Sequence, residues 1–279
     1  MEDNNTLLAA GILIFAMLII IVFASFGKKK DPDSFYRAGL KAYDEGEFLT
    51  AYKIFKSLAE QGYIEAQCKL GLMHDRGEGL QQDCAEAVKW YRRAAEQAHV
   101  LAQYNLGLYY DNGQGVLQDY TEAAKWYQRA AEQAHVLAQY NLGILYASGQ
   151  GVRQNYAEAA KWYRKAAKRG HASAQCNLGF MYHNGLGVLQ DYAKAADLYR
   201  SAAEQQDAGA QRNLGIMYGH GWGVPQSLVK AHMWGNIAAT NGGDASVRDV
   251  AAERMTSTEI AEAQQRAKVC LASNYKDCD

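Results

Sequence analysis

Carboxylates and imidazoles recur through this chain of 279 residues in patterns that raise the question of acid–base or metal chemistry. Three glutamates stand 36 residues apart: Glu86, Glu122 and Glu158. Acid–base catalysis on one bond requires two carboxylates about 5–10 Å apart. A constant offset instead predicts a line of side chains on successive structural units, so helix capping is the better interpretation of the glutamates.

Three histidines, His99, His135 and His171, follow the same spacing of 36 residues. A metal site requires ligands that all lie about 2 Å from one ion, which side chains on successive units do not provide. The sequence also has neither an H-E-x-x-H nor a C-x-x-C motif. We therefore predict no metal site, and no motif indicates a cofactor.

One fragment, Ser227-Leu-Val-Lys230, matches the S-x-x-K nucleophile motif of penicillin-recognising serine enzymes. The companion motifs S-D-N and K-T-G are both absent. Ser227 also stands at the position where a helix is expected to begin, and serine is a favoured N-cap residue. The sequence therefore predicts capping at Ser227 and a protein that is not an enzyme.

All these side chains are positioned by an internal repeat. The stretch RAAEQAHVLAQYNLG at Arg93–Gly107 recurs letter for letter at Arg129–Gly143. Leu-Gly and Gly-x-Gly pairs also recur every 36 residues. A fixed period between about 20 and 50 residues indicates stacked units, each of which buries its apolar faces against its neighbours.

One unit contains two predicted helices. The first carries Leu106 and Gly107, and it ends where Asn112-Gly113 permits a left-handed backbone. Glycine in a helix interior usually allows another backbone to approach closely. The second helix begins at Asp119, an N-cap residue with a glutamate three positions later, as in a capping box.

The recurring pattern is A-Q-x-N-L-G-x-x-Y-x-x-G-x-G-V-x-x-D-Y-x-x-A-x-x-W-Y-x-x-A-A. It closely resembles the Sel-one-like repeat family, longer relatives of the tetratricopeptide repeats, over residues 34–240. The resemblance implies an all-α fold: a right-handed α/α superhelix, or solenoid, of about six antiparallel helix pairs. It also implies a scaffold or adaptor that binds protein partners. Because some bacterial members are labelled β-lactamases, a cell-envelope binding protein or hydrolase is the alternative.

The predicted organisation has four parts. Residues 1–30 form a tail, a transmembrane helix and a lysine-rich flank, and residues 31–64 form a divergent capping helix pair. Residues 65–240 hold five repeats of 36 residues. Residues 241–279 form the C-terminal cap, whose helix opens at a capping box of Thr256 and Glu259.

The predicted membrane anchor is Leu7–Phe26, which contains no charged residue and would span roughly 30 Å as a helix. The acidic leader and the lack of a clean cleavage site favour a retained anchor over a signal peptide. Lys28–Lys30 directly follows, so the positive-inside rule favours a cytoplasmic body at a bacterial inner membrane. Cys270 and Cys278 could instead form a disulfide in an oxidising compartment, which keeps a periplasmic body open.

Two sets of residues are candidates for partner binding. A net charge of −1 gives no basic field for nucleic acid, so the expected partner is a protein. Positions that differ between units could set specificity, although neutral drift explains them equally well: Asp111, His183, Arg164 and Arg200. Aromatic residues at one register could be exposed anchors or packing residues between units: Tyr91, Tyr127, Tyr163 and Tyr199.

Overall fold

A computed structural model describes residues 31–278, and these residues form helices and turns without any strand. The helices are α1 Pro32–Asp44, α2 Phe48–Glu60, α3 Ile64–Arg76, α4 Cys84–Glu96, α5 Val100–Asn112, α6 Tyr120–Glu132, α7 Val136–Ser148, α8 Tyr156–Ala167, α9 Ala172–Asn184, α10 Tyr192–Ala203, α11 Ala208–His220, α12 Leu228–Thr240, α13 Ser246–Ala252 and α14 Ser257–Ala272. The predicted all-α fold of about six helix pairs is confirmed, as α1 to α12. The right-handed course of the superhelix stays a prediction.

The predicted membrane span, residues 7–26, lies outside the described residues. Between residues 31 and 278, no helix is both long enough and apolar enough to cross a bilayer.

The chain divides into two compact units, and the division falls between two repeats. The first unit ends at His99 and contains α1 to α4. The second begins at Val100 and contains α5 to α14. Within each unit, every helix up to α12 packs against the next helix in the chain, which is the contact pattern of stacked repeats.

Helix ends follow the predicted signals with one difference. The Asp119 carboxylate caps α6 by accepting from the amides of Thr121 and Glu122. Glu122, however, turns outward and pairs with Lys125 at 2.6 Å, so only half of the predicted capping box forms there. The complete box forms at Thr256 and Glu259, which cap α14 reciprocally.

A glycine–tyrosine contact closes the helix pairs. A Cβ atom added to Gly107 would lie 2.6 Å from the Tyr127 ring, and one added to Gly143 would lie 2.6 Å from the Tyr163 ring. In the first four of the five repeats, the glycine of the first helix thus accommodates a tyrosine ring from the second helix. The expected close approach is real, but its partner is an aromatic side chain rather than a backbone.

The last repeat replaces this tyrosine with Gly235. A Cβ atom at Gly235 would lie 2.5 Å from the backbone nitrogen of Arg248, in α13. Val247, also in α13, takes the place of the tyrosine ring over Gly215. The short helix α13 was not predicted. It packs on the last repeat in the space that a tyrosine ring occupies in the other repeats.

The C-terminal cap is completed by α14, which packs against α12. The structure joins Cys270 and Cys278 by a disulfide, with Cα atoms 4.5 Å apart. Tyr275, between them, is buried, and its hydroxyl accepts a hydrogen bond of 2.6 Å from the Asn241 side chain. The disulfide and the hydrogen bond between Asn241 and Tyr275 hold the residues that follow α14, up to residue 278, against the last helices.

Turns between repeats all use a left-handed residue. Gly170 has a φ of +85°, whereas Ala134 adopts a φ of +66° at the same position of the preceding repeat. A left-handed conformation costs an L-residue about 1–2 kcal/mol. The alanine turns are therefore strained rather than differently closed, which were the two outcomes left open by the sequence.

Candidate functional site

The predicted tyrosine anchors are buried, so the interpretation of these residues as exposed binding groups is wrong. Their exposed fractions are 1% for Tyr91, 0% for Tyr127, 4% for Tyr163 and 2% for Tyr199. Each ring packs on the glycine of its own repeat. The alternative from the sequence, packing, is what the structure shows.

Two of the variable candidates lie on first helices. Asp111, at the end of α5, accepts a hydrogen bond of 2.9 Å from the hydroxyl of Tyr127. His183 occupies the same register on α9, where its Nδ1 lies 3.3 Å from the sulfur of Met217. Its ring also contacts Trp222, with centroids 5.1 Å apart. Both side chains are half-buried and held by neighbours.

The two candidate arginines lie on second helices and hold each of these helices to the next first helix. Arg164, on α8, donates to the Tyr182 hydroxyl at 3.2 Å. Arg200, on α10, donates to the Tyr218 hydroxyl at 3.4 Å and pairs with Asp197 at 3.1 Å. The structure therefore does not gather the four variable candidates into one site.

The histidines at the repeat boundaries cap helices. The Nδ1 atom of His135 accepts from the amide of Ala138, and that of His171 accepts from the amide of Ala174, both at 3.2 Å. Burial lowers the pKa of both imidazoles, so the neutral form that can accept is favoured. Among residues 31–278, no three His, Cys, Asp or Glu side chains are placed to hold one metal ion.

These caps predict that the protein loses stability in mild acid. The folded-state pKa of His135 and His171 lies below the unfolded value of about 6.5, so their contribution is complete above that pH and is lost as the pH falls towards the folded pKa. We expect the denaturant midpoint of unfolding to fall between pH 7.5 and pH 5.

Asp207 supplies the matched control, because it caps α11 at the equivalent position by accepting from Ala210 at 2.8 Å. The double variant His135→Asp, His171→Asp should therefore show a smaller fall over the same pH range. An unchanged pH dependence in that variant would contradict the capping role of the two histidines.

Ser227 also acts as a cap, as predicted. Its Oγ accepts from the amide of Lys230 at 3.2 Å, at the start of α12. The ammonium of Lys230 lies 5.3 Å from the centroid of the Tyr218 ring. The S-x-x-K fragment thus has a structural role at the beginning of a helix.

A surface that was not predicted lies on the first helices of the second unit, α5, α7, α9 and α11. We call their solvent-facing side the first-helix face. One row on it is apolar and partly or largely exposed: Leu108, Ile144, Phe180 and Ile216, with Phe180 51% exposed. A second row carries half-buried amides: Asn105, Asn141, Asn177 and Asn213. Both rows recur every 36 residues, so the sequence did contain a signal for them.

The asparagines help to join successive repeats. The Asn141 amide lies near the hydroxyl of Tyr127 in the preceding repeat, and the Asn177 amide lies near the hydroxyl of Tyr163. Each amide carries two N–H donors and one acceptor oxygen, which is more than one contact with a hydroxyl uses. The row therefore combines a packing role with hydrogen-bonding capacity at the surface.

Formal charge is almost absent from these four helices. Helix α7 contains no Asp, Glu, Lys or Arg, and the other three contribute only Asp111 and Arg212. The second helix α6, in contrast, carries four charged residues, including the exposed Lys125 and Glu132. Protein-binding surfaces are depleted of charge at their centre, and this is the character of the first-helix face.

Two cavities flank α11 within the second unit. One, of about 270 Å³, lies between α11 and α13. The other, of about 200 Å³, lies between α9 and α11. They share Arg212 and Ile216, which separate them. The first-helix face is therefore indented on both sides of α11, at its C-terminal end.

Comparisons with known proteins agree with this architecture. Five successive segments match the Sel1 repeat: residues 64–99, 100–135, 136–171, 172–207 and 208–243. A Sel1 repeat protein from Oxalobacter formigenes is 36% identical over 74% of this chain and 85% of its own, with a TM-score of 0.70. No curated protein sequence matches the chain.

A second solved structure is c5321, a protective antigen present in uropathogenic Escherichia coli strains. It is 32% identical over 88% of this chain, with a TM-score of 0.72, and this chain spans 59% of the antigen. The repeat matches extend over more than half of the sequence, and the pattern of helices and turns agrees with them. The chain belongs to the Sel1 repeat family.

Proposed function

We propose that the protein is a membrane-tethered scaffold that binds an extended segment of a protein partner along the first-helix face. The observation that carries this proposal is the pair of rows on four successive helices, one apolar and one of asparagines. Sel1 repeat proteins are in general protein-interaction scaffolds without catalytic activity, which is consistent with this role.

The chemistry of the two rows suits an extended main chain. A side-chain amide can both donate to a peptide carbonyl and accept from a peptide N–H. The apolar row beside it offers contacts such as Ile144 and Phe180 to alternate side chains of the same segment. Buried apolar contacts supply affinity, and the amides fix the direction and register of the bound chain.

Site-specific crosslinking in the full-length chain tests this proposal. A photoreactive residue at Ile144, on the first-helix face, should crosslink to a discrete protein in native membranes. The same residue at Lys125, on the exposed surface of α6, is the matched control and should not. Equal crosslinking from both positions, or none from Ile144, would refute the proposed binding face.

We further propose that residues 7–26 tether the body to a membrane. Two signals disagree on the side of the membrane where the body lies. Lys28–Lys30 favours the cytoplasm, whereas a disulfide between Cys270 and Cys278 persists in oxidising compartments. Protease added to spheroplasts decides between them. Digestion places the body outside the inner membrane, and protection places it in the cytoplasm.

A further inference from the structure

The cavity between α11 and α13 exists because of two residues particular to the last repeat. Gly235 leaves room for the backbone of α13, which approaches it at Arg248. Gly219, on α11, occupies the register that holds Asp111 and His183 in other repeats. A Cβ atom there would meet only the Ala231 side chain, at 3.7 Å, so the space beside Gly219 is open.

The cavity is mostly apolar and large enough for a bulky side chain. Its apolar wall includes Ile216, Leu228, Val247 and Val250, of which Val250 is 59% exposed. A cavity of about 150 Å³ lined by aliphatic and aromatic groups holds benzene, so about 270 Å³ holds a leucine or an aromatic side chain. The smaller cavity has an apolar side formed by Phe180, Tyr199 and Ile216, and its remaining lining is polar.

The charged groups around the two cavities are cationic. Arg212 and Arg254 line the larger cavity, and no carboxylate is among its lining residues. Arg212 donates to Asp244 at 3.0 Å, outside that lining. Arg254, an exposed residue, forms no ion pair within residues 31–278. A carboxylate brought to this surface would therefore meet positive charge.

We propose that this two-cavity surface recognises a partner segment in which an acidic residue stands between two large apolar residues. The segment crosses α11, places one apolar side chain in each cavity, and directs its carboxylate to Arg212 and Arg254. Guanidinium groups bind carboxylates through charge-assisted hydrogen bonds. This inference rests on the proposed function, because it specifies the segment that the first-helix face binds.

Peptide selection on the full-length chain in detergent micelles tests the inference. Random nonapeptides displayed on phage are selected, and enriched peptides are synthesised and titrated by fluorescence polarisation. We expect enrichment of Asp or Glu between two large apolar residues. The Gly219→Leu variant fills the larger cavity and should weaken these peptides about tenfold or more. Ala261→Leu adds the same side chain to the exposed surface of α14 and should leave affinity unchanged.

A second variant does not depend on the folding of Gly219→Leu. Arg254→Glu changes an exposed residue, and it should shift the selected peptides from acidic to neutral or basic. No enrichment, enrichment without an acidic residue, or equal losses in Gly219→Leu and Ala261→Leu would overturn the inference. If crosslinking from Ile144 succeeds in that case, only the segment chemistry is wrong; if it also fails, the proposed function is wrong.

Discussion

Replacement of Gly187 by alanine is expected to lower the free energy of unfolding by about 3 kcal/mol or more. The backbone at Gly187 has a φ of +66°, which strains any L-residue. An added Cβ would also collide with the backbone of Tyr156 and Ala157, at the start of α8 in the preceding repeat. Backbone atoms cannot rotate away, so the loop or α8 must move.

Gly170→Ala is the matched control for this prediction. Gly170 has a φ of +85°, but nothing lies within 4 Å of its added Cβ. It should therefore lose only the left-handed strain, about 1 kcal/mol, a loss that the native Ala134 already sustains in an equivalent turn. Denaturant titration of both full-length variants measures the difference. Equal losses would show that the collision with α8 contributes nothing.

The helix pairs were predictable because their signals are local and repeated. Asp119 and Ser227 are N-cap residues that accept from amides two or three positions later, and the Gly-x-Gly loops need left-handed backbones. Neither depends on distant parts of the chain. Such signals, copied every 36 residues, indicate both the elements and their order.

The C-terminal closure could not be predicted in the same way. Helix α13 is seven residues long, too short for a hydrophobic period to stand out. Its position depends on Gly235, whose importance becomes evident only when its register is compared with Tyr199 one repeat earlier. The missing tyrosine was a readable signal for a different last repeat, although not for the element that fills the space.

The exposure of the tyrosine candidates was mispredicted because a periodic pattern does not show which side of a helix faces solvent. Tyr127 and Ile144 both recur at intervals of 36 residues, yet Tyr127 is buried and Ile144 is partly exposed. The difference is set by packing between helices, since the tyrosine ring covers Gly107. Large size and aromatic character suggested a binding anchor, but the same properties make tyrosine an effective core residue.

The buried position of Tyr127 predicts that Tyr127→Ala destabilises the second unit by about 3–5 kcal/mol, the usual loss for an aromatic core residue. Tyr127→Phe keeps the ring and removes the hydroxyl with its hydrogen bond to Asp111, so it should cost about 1 kcal/mol. Denaturant midpoints of the two variants provide the measurement. Full stability in Tyr127→Ala, together with lost crosslinking from Ile144, would restore the role of a binding anchor.

Gly107, which the Tyr127 ring covers, allows a test in which one substitution destabilises the native chain but stabilises a variant. Gly107→Ala should destabilise the native chain, because its Cβ would lie 2.6 Å from the Tyr127 ring. In the Tyr127→Ala background the ring is gone, and the same substitution should stabilise by about 1 kcal/mol through helix propensity. A double-mutant cycle measures this coupling. If Gly107→Ala changes stability in the same direction in both backgrounds, the Tyr127 ring is not what requires glycine at residue 107. The packing of tyrosine on glycine would then not be the contact that joins the two helices of a repeat.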